Sequence, residues 1–459
     1  MINTTKNRVA MADSYKYSHS SQYPEMVSMY DYMESRGGVY PATVFVGLQY
    51  YLKAYFSEAI TQREVDQAAR MATAHGVPFD KEGWDYIVQE LNGKLPVRIK
   101  AVKEGSLIPV KNVLMTIEST DSKVPWIAGW LETILMKVWY PTTVATKSYY
   151  VKKMLQKYGA PEWAQFAFHN FGDRGSSSVE SAAIGGMAHL TQFMGTDNFN
   201  SLFMIEDFYN QDGPAGYSVF ATEHSTTTSW GKDGEFDFVI KQLQDNPEAP
   251  IMSFVADSYD VYKFTNEVTK ESSEIRAIIE SRPEQKFVLR PDSGEPLEVI
   301  SRMLDIIKDN DVVFTRDANQ RIIFRDFGIL WGDGITPDVM EEILKMVIGM
   351  GFAAENMVFG SGGDIMQNVN RDTQRFAIKC SSITDKSEND IDVFKNPITD
   401  PGKKSKKGKV TTYFNTESNT YFVDVVGKEF KSSAEVLEVV YENGELIKEV
   451  SMQDVREAS

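Results

Sequence analysis

The 459-residue sequence contains little cysteine and no long apolar run. Cys380 is the single cysteine, which excludes intrachain disulfides and cysteine-rich metal sites and is typical of a reducing compartment. The most apolar helical segment, residues 126–139, is too short to span a bilayer and is interrupted by Glu132 and Lys137. Residues 1–30 are polar and lack the apolar centre of a signal peptide. We therefore expect a soluble, cytoplasmic protein with no membrane partner.

The sequence also lacks an excess of positively charged residues. The formal net charge is −17, and an acidic surface repels both nucleic acids and anionic membranes. We therefore expect no nucleic-acid partner. A small anionic substrate held in a local basic pocket remains compatible with this charge.

Several motifs of common enzyme classes are absent. The sequence has no HExxH, His-x-His or Cys-x-x-Cys spacing, so a transition metal held by protein ligands is not expected, and direct metal ligands stay unassigned. It also has no GxSxG or Walker motif, which argues against α/β-hydrolases and P-loop enzymes. His224, among hydroxyl residues in ATEHSTTTSWG, is a candidate for chemistry, with a structural role as the alternative. His169 and His189 lie in apolar surroundings and are predicted to pack.

One pattern occurs three times between Phe287 and Asn370: a short apolar run, a polar turn rich in glycine and aspartate, and a segment with helical spacing. The turns read RPDSG, GDG and GSGGD. Thr336 followed by Pro337 is a favourable helix start. A strand, a glycine turn and a helix N-terminus in succession offer unpaired backbone N–H groups to a phosphate. The pattern predicts the C-terminal rim of a (β/α) barrel that binds a sugar phosphate.

The order of patterns along the chain predicts an α/β protein, an irregular (β/α) barrel with a mixed α+β domain. Residues 1–160 are predicted to form the N-terminal α+β domain, which includes a strand pair in residues 95–118 with Gly105 at its turn. Residues 161–409 alternate strand-like and helical segments and are predicted to form the barrel-like domain. Residues 410–459 return to strands, with a hairpin at Asn443-Gly444, and are predicted to pack with the N-terminal domain.

Carboxylates follow several strand-like runs of the predicted barrel, namely Asp257, Asp260, Asp292 and Asp333. Such residues bind ribose hydroxyls or Mg²⁺ waters, or they cap helices, and the pattern leaves both interpretations open. A second feature is the basic tract of residues 401–409, which holds five lysines. It is either a solvated surface loop or a mobile loop that closes over a polyphosphate.

Eleven ordered motifs, taken together, resemble the nicotinamide phosphoribosyltransferase family from near the N-terminus to about Lys409. They are DSYK, GLQY, FGDRGSSSVESAAIGG, GTD, EHSTTTSWGKD, DSYD, RPDSG, GDG, FGSGG, NRD and DPGKKSKKG. The resemblance implies a homodimeric type II phosphoribosyltransferase of NAD salvage. Such an enzyme joins nicotinamide to phosphoribosyl pyrophosphate with Mg²⁺ and releases nicotinamide mononucleotide and pyrophosphate. The alternatives are a nicotinate phosphoribosyltransferase, a barrel lyase or isomerase acting on a sugar phosphate, and a non-catalytic nucleotide sensor.

The resemblance also implies the site residues. The pyridine ring would lie between Phe171 and a Tyr15 side chain supplied by the other subunit of the dimer. Asp197 would accept a hydrogen bond from the amide N–H, assisted by Ser253 and Arg290. The ribose would be bound by Asp292, Gly332 and Asp333, with Asp257 as a further substrate-binding carboxylate. The 5′-phosphate would be bound by Arg36, Gly362, Gly363, Arg371 and Lys379. The pyrophosphate and nucleotide side would be lined by Arg174, His224, Arg290, Lys395 and Lys403.

Three of these residues, His224, Arg290 and Asp292, are assigned to catalysis. In the family the histidine that matches His224 is linked to ATP hydrolysis through transient phosphorylation, so ATP is expected as a coupled activator. The FGxRG turn departs from the family pattern, because Asp173 replaces an aromatic residue. Asp173 either pairs with Arg174 and weakens its hold on pyrophosphate or faces solvent. Displacement at the anomeric carbon requires charge stabilisation and alignment but no nucleophile, which agrees with the absence of a catalytic triad.

Overall fold

The structure is a computed structural model that describes residues 7–399 and 404–459. Its strands are β1 Ser28–Ser35, β2 Ala42–Val44, β3 Val97–Ala101, β4 Leu107–Pro109, β5 Val113–Ser119, β6 Phe168–Asn170, β7 Gly195–Thr196, β8 Phe220–Ala221, β9 Ile251–Val255, β10 Lys286–Arg290, β11 Phe314–Arg316, β12 Ile322–Phe324, β13 Phe327–Trp331, β14 Met357–Ser361, β15 Phe376–Thr384, β16 Asp390–Asp392, β17 Val410–Asn415, β18 Thr420–Val425, β19 Ser433–Glu435, β20 Glu438–Glu442 and β21 Glu445–Leu446.

The helices are α1 Leu48–Phe56, α2 Gln62–His75, α3 Lys81–Gln89, α4 Ile127–Trp130, α5 Glu132–Met136, α6 Trp139–Leu155, α7 Pro161–Ala164, α8 Val179–Leu190, α9 Asn200–Phe208, α10 His224–Thr228, α11 Glu235–Asp245, α12 Val261–Thr269, α13 Glu274–Glu280, α14 Pro296–Asp309, α15 Pro337–Gly349, α16 Gly363–Gln367 and α17 Met452–Glu457. Short 3₁₀ helices lie at Arg8–Ala10, Ser14–Ser21, Asp173–Gly175, Ala354–Asn356 and Arg371–Thr373. No helix of the described ranges is long and apolar enough to cross a membrane.

The chain divides into two compact units, each assembled from separate segments. The first unit comprises the residues up to 146, residues 204–212 and the residues from 369 onward. The second comprises residues 147–203 and 213–368. The sequence placed the domain limits at 160 and 409 instead. Residues from 369 onward contact the first unit because β15 pairs with β1 along its whole length.

The first unit is built on a sheet with the strand order β16-β15-β1-β5-β3-β20-β21, whose pairs are antiparallel. The pairing of β20 with β3 joins the C-terminal strands to N-terminal ones. The predicted hairpin is present, with Asn443 and Gly444 both at positive φ, as a type I′ turn requires. The strand pair predicted in residues 95–118 is more complex, because β3 pairs with β5 while β4, between them, pairs with β2.

The second unit is built on a parallel sheet with the strand order β7-β6-β14-β13-β10-β9-β8. A parallel bridge between Gly195 in β7 and Tyr217, just before β8, connects the two edges of this sheet. The irregular (β/α) barrel predicted from the sequence is therefore confirmed. All three predicted strand, turn and helix units are present as β10 with α14, β13 with α15, and β14 with α16. Thr336 caps α15 by accepting the Val339 N–H at 3.3 Å.

Apolar burial explains why these segments form a barrel. Every residue of β13 is buried, as expected for a parallel strand covered on both faces. Helix α14 buries one apolar face at helical spacing, comprising Val299, Ile300, Met303, Leu304 and Ile307. Each such side chain contributes roughly 1.5–3 kcal/mol of transfer free energy. Because the strands are parallel, their carboxyl ends meet at one edge, where loops carry the chemistry of barrel enzymes.

Candidate active site

The predicted residues of the second unit lie at the carboxyl ends of the parallel strands. Phe171 and Arg174 follow β6, Asp197 follows β7, His224 follows β8, Asp257 follows β9, Asp292 follows β10, Gly332 and Asp333 follow β13, and Gly362 and Gly363 follow β14. Ser253 lies within β9, and Arg290 is the last residue of β10. The sheet therefore brings twelve separate sequence positions to one rim.

A cavity of about 510 Å³ lies inside the barrel. Its lining is mostly apolar, with Phe171 and Tyr217 among the walls, and Asp197, Ser253 and Arg290 supply polar groups. The Ser253 hydroxyl and the Arg290 Nε are buried and have no hydrogen-bond partner among the described residues. A buried donor without a partner costs about 1–3 kcal/mol, so these two groups are suited to bind a polar ligand.

Arg290 is held by one contact that leaves most of its guanidinium available. Its Nη2 donates to the Thr222 carbonyl oxygen at 3.1 Å. Asp197 is held in a similar way, because the Ser218 hydroxyl donates to its Oδ1 at 2.5 Å. Sequence reasoning missed Ser218, which precedes β8 in a loop without a recognisable motif. Its bond to Asp197 and its position in the cavity lining identify it.

Phe171 packs against glycine backbone. A Cβ atom at Gly360 would lie 2.0 Å from the ring carbon Cε2, so no larger residue fits at that position without moving the ring. A Cβ at Gly332 would lie 3.7 Å from the same atom. Gly360 of the third turn therefore makes room for an aromatic side chain at the cavity wall, whereas a side chain at Gly332 would meet the ring at an ordinary contact distance.

A hydrogen-bonded group of polar residues connects three strand ends. The imidazole Nε2 of His224 lies 3.0 Å from Oδ1 of Asp257, and His224 keeps 45% of its side chain exposed. Oδ2 of Asp257 accepts the Asp292 backbone N–H at 3.1 Å and the Ser293 hydroxyl at 2.5 Å. Burial raises the pKa of the Asp292 carboxyl, against the opposing effect of Arg290. Asp257 thus orients His224 and also fixes the RPDSG turn.

A second cavity, of about 310 Å³, lies between two of the glycine turns. Its lining comprises Gly332, Asp333, Gly334, Ile335, Thr336, Ser361, Gly362, Gly363 and Asp364. The predicted ribose residues of β13 and the predicted phosphate residues of β14 are therefore neighbours. No cluster of three or more potential metal-binding side chains occurs within residues 7–399 and 404–459.

The remaining predicted residues belong to the first unit. Arg36 follows β1, and its Nε donates to Glu34 at 2.9 Å, while its Nη2 is buried without a partner in the described part of the chain. Lys379 lies in β15 and is 3.5 Å from Glu132. Arg371 is exposed and lies 3.5 Å from Asp372. Sequence reasoning did not identify the roles of Glu34 and Glu132, because isolated acidic residues carry no signal of their partners.

Tyr15 lies in the first unit on the 3₁₀ helix Ser14–Ser21 with 57% of its surface exposed. The neighbouring Lys16 is buried and binds both Glu132 and the Gly129 carbonyl oxygen. Lys395 is exposed, and its backbone bonds to Ser405. Lys403 lies outside the described residues.

Three lysines of the basic tract form ion pairs. Lys406 binds Glu34, Lys407 lies 2.9 Å from Asp392, and Lys409 lies 3.2 Å from both Glu118 and Asp390. This part of the tract is therefore held to strands of the first unit. Whether the tract closes over a polyphosphate stays a prediction.

The remaining groups are two histidines predicted to pack, the single cysteine and the FGDRG turn. His189 is fully buried, and burial lowers its pKa to about 3, so it packs as predicted. His169 instead lines the barrel cavity, although burial also lowers its pKa. Burial and the nearby Asp31 raise the pKa of the Cys380 thiol, which makes it a poor nucleophile. Asp173 and Arg174 are both exposed.

Comparison with known proteins identifies similar chains. Residues 166–442 match the nicotinate phosphoribosyltransferase (NAPRTase) family, and residues 7–99 match the nicotinamide phosphoribosyltransferase N-terminal domain. A nicotinamide phosphoribosyltransferase of Xanthomonas campestris pv. campestris is 41% identical over 98% of this chain and 97% of its own length. One from Acinetobacter baylyi is 28% identical over 98% of this chain and 96% of its own length.

Solved structures share the fold. The nicotinate-nucleotide pyrophosphorylase of Pyrococcus furiosus covers all of this chain and 95% of its own, with a TM-score of 0.62 and 15% identity. Human nicotinic acid phosphoribosyltransferase covers all of this chain and 92% of its own, with a TM-score of 0.60 and 13% identity. The family match spans more than half of the sequence, and its strand-end residues form the rim described above. The chain therefore belongs to the nicotinate phosphoribosyltransferase family.

Proposed function

We propose that this protein transfers the phosphoribosyl group of phosphoribosyl pyrophosphate to nicotinamide, and so produces nicotinamide mononucleotide and pyrophosphate in NAD salvage. The main support is the polar lining of the barrel cavity. Asp197 supplies an acceptor there, and the Ser253 hydroxyl and the Arg290 Nε supply donors that have no partner among the described residues. A carboxamide has both a donor N–H and an acceptor carbonyl, so it complements this arrangement.

Nicotinate phosphoribosyl transfer is the second candidate, favoured by the positive charge of Arg290 in the same cavity. Nicotinate offers acceptor oxygens only, and its negative charge would face Asp197. At ~4 Å and an effective dielectric of ~20, two like charges repel by about 4 kcal/mol. The presence of a carboxylate at this position therefore favours the neutral amide.

The phosphoribosyl end is assigned to the strand ends of β10, β13 and β14. Asp292, Gly332 and Asp333 bind the ribose, and Gly362 and Gly363 offer backbone N–H groups to the 5′-phosphate. Further cations for the phosphate and pyrophosphate groups are Arg36, Arg174, Arg371, Lys379, Lys395 and Lys403. These groups bind, orient and disperse charge on the departing pyrophosphate, which is the main requirement of displacement at the anomeric carbon.

Mg²⁺ accompanies the pyrophosphate group in this proposal, where it would neutralise part of the charge. The carboxylates of Asp292 and Asp333, on neighbouring strands β10 and β13, fit a role as acceptors for its waters. ATP is proposed as a coupled activator at His224. The supporting geometry is an exposed imidazole held by Asp257 at 3.0 Å.

A homodimer in the cytoplasm, with sites completed by the partner, is part of the same proposal. Support comes from exposed aromatic side chains in each unit. These are Tyr15 in the first unit, and Phe199 and Phe203, whose rings lie 5.5 Å apart, in the second. Light scattering of the purified protein tests this point, since a monomer at micromolar concentration would contradict it.

The activity is tested by incubating the protein with phosphoribosyl pyrophosphate, Mg²⁺ and either nicotinamide or nicotinate, with and without ATP, while both mononucleotides are quantified chromatographically. We expect nicotinamide mononucleotide as the main product and stimulation by ATP. The matched control is Arg316→Ala, which removes an exposed arginine of β11 and should retain full activity. A preference for nicotinate, or no mononucleotide from either base, would contradict the proposal.

A further inference from the structure

The cavity assigned to the 5′-phosphate has an unexpected lining. Besides the glycines its lining includes two acidic residues, Asp333 and Asp364. Asp333 has a proposed ribose partner, whereas Asp364 belongs to the turn GSGGD itself, directly after Gly362 and Gly363. An uncompensated carboxylate at this position would repel a phosphate dianion at short range.

Lys147 in α6 supplies the missing compensation. Its Nζ lies 2.5 Å from Oδ2 of Asp364 and donates to the Asp364 carbonyl oxygen at 2.7 Å. Only 8% of the Lys147 side chain is exposed, and 15% of that of Asp364. The other carboxylate oxygen, Oδ1, accepts from the Asn368 side chain at 2.8 Å. All of these residues belong to the second unit.

We propose that Lys147 is a positioning residue for phosphoribosyl pyrophosphate. It cancels the charge of Asp364 beside the phosphate cavity, and its bond to the Asp364 carbonyl fixes the turn that presents the Gly362 and Gly363 N–H groups. This inference rests on the proposed function. It adds a residue of helix α6 to the residues proposed for the phosphate site.

A purely structural ion pair would behave differently. If Lys147 only connected α6 to the turn, its loss would lower the free energy of unfolding. Removal of the Asp364 carboxylate as well would then not restore the affinity for phosphoribosyl pyrophosphate. If its charge matters for the phosphate, the defect is specific for phosphoribosyl pyrophosphate. The defect then depends on the presence of the Asp364 carboxylate.

The test compares Lys147→Met, Asp364→Asn and the double variant, with KM determined separately for both substrates. For Lys147→Met we expect a KM for phosphoribosyl pyrophosphate raised about 10- to 100-fold, and a KM for nicotinamide within about twofold of the wild type. Asp364→Asn should lower the former KM about two- to fivefold, because Lys147 then faces the phosphate uncompensated. The double variant should return to within about threefold of the wild type.

The control is Lys241→Met, which breaks an exposed Lys241–Asp245 pair of 2.6 Å in the same unit and should change neither KM. Equal defects in the single and double variants, or an unchanged KM in Lys147→Met, would refute the role of Lys147. If Lys147→Met does not fold, Asp364→Asn decides alone, since an unchanged or raised KM refutes the proposal. A wild type that makes no mononucleotide contradicts the proposed function instead, so the two failures are distinct.

Discussion

The two units carry their proposed substrate residues in different ways. In the second unit the residues follow strand ends and glycine turns, so the backbone of the barrel determines where they lie. In the first unit the proposed substrate residues are Tyr15 and several long cations, and carboxylates bind two of these cations, Arg36 and Lys379. Glu34 binds Arg36 and Lys406, and Glu132 binds Lys16 and Lys379. In the barrel unit the backbone geometry therefore determines where the proposed substrate residues lie. In the first unit ion pairs do so.

This difference has consequences for substitutions. In the proposed site each strand-end residue would contact a defined part of the ligand, so its loss should change substrate specificity or the rate of a chemical step. A cation in a group of several contributes affinity that its neighbours partly replace. Glu34 has only 4% of its side chain exposed, so its pairs differ from surface ion pairs, whose contribution is about 0–1 kcal/mol. Glu34 holds the side chains of Arg36 and Lys406 in position in the absence of substrate.

The largest effect is expected for Arg290→Ala in the barrel. The variant removes a charged donor whose Nε is buried and has no partner within the described part of the chain, and kcat/KM should fall by about 1,000-fold. Steady-state kinetics measure the loss, and Arg290→Lys should recover little of it, because a lysine cannot reproduce the planar donor geometry. Near-normal activity in Arg290→Ala would show that the barrel cavity does not bind the substrate.

The same variant tests whether the two units cooperate across a dimer. Tyr15→Ala and Arg290→Ala proteins should each be weak. A re-annealed mixture should contain heterodimers with one intact site, so its activity should exceed the mean of the parents. Activity that stays at the mean would refute the shared site, while leaving the role of Arg290 unaffected.

Asp197→Asn should have the second largest effect, on specificity. The wild type should prefer nicotinamide, and replacement by a neutral amide should narrow the ratio of kcat/KM values for nicotinamide and nicotinate by about 100-fold. Ser218→Ala is the companion variant. It keeps the carboxylate but removes the bond that orients it, and it should narrow the ratio less. A ratio that does not change in Asp197→Asn would exclude this residue from base recognition.

A smaller effect is expected for Arg371→Ala in the first unit. Arg371 is one of several cations assigned to the phosphate groups, so its removal should raise the KM for phosphoribosyl pyrophosphate about 10- to 100-fold. The KM for nicotinamide should stay constant. Arg375→Ala, which removes an exposed arginine four residues away, is the control. Equal KM values for Arg371→Ala and the wild type would remove Arg371 from the site.

Sequence patterns predicted the second unit better than the first. The strand, turn and helix repeats of residues 286–367 are local, because periodicity and turn residues lie close together in the chain. They therefore predicted the barrel, which is confirmed, and the edge at which the proposed site lies. The first unit depends on pairings between distant segments, such as β1 with β15, which no local pattern reveals. For this reason the limit predicted at 409 differs from the observed assignment of residues from 369 onward.

The same contrast applies to the site. Asp292 and Asp333 were candidates because they follow strand-like runs, and His224 because it lies among hydroxyl residues, while the family resemblance implied their roles. Ser218 was missed, and so were the carboxylates that hold cations in the first unit. A residue that acts by orienting another becomes visible only when the distance between the two side chains is known.

Glu132→Gln should modestly raise the KM values for both substrates. Glu132 binds Lys16, beside Tyr15, and also lies 3.5 Å from Lys379. Loss of its charge should loosen both segments and raise each KM about five- to tenfold. The control is Glu442→Gln, which loses a more exposed pair with Arg98. A change in only one KM would show that Glu132 does not connect the two segments.

Asp31→Asn should change activity least and the pH dependence of stability most. Asp31 lies opposite Cys380 in the β1–β15 pair, and burial, together with the charge of Glu132, raises its pKa to about 7. In the unfolded chain the pKa of aspartate is about 3.9. Between these values only the folded state binds the proton, so the stabilisation is complete below about pH 4 and disappears as the pH rises through about 7. The free energy of unfolding of the wild type changes by at most about 4 kcal/mol for this reason, and the asparagine variant lacks this change.

The melting temperature of Asp31→Asn relative to the wild type should therefore be higher at pH 8 than at pH 5, by several degrees, in calorimetry. Asp207→Asn, which alters an exposed carboxylate of the first unit, should show no such pH-dependent difference. A constant offset between Asp31→Asn and the wild type across this range would show that Asp31 titrates as an ordinary carboxylate.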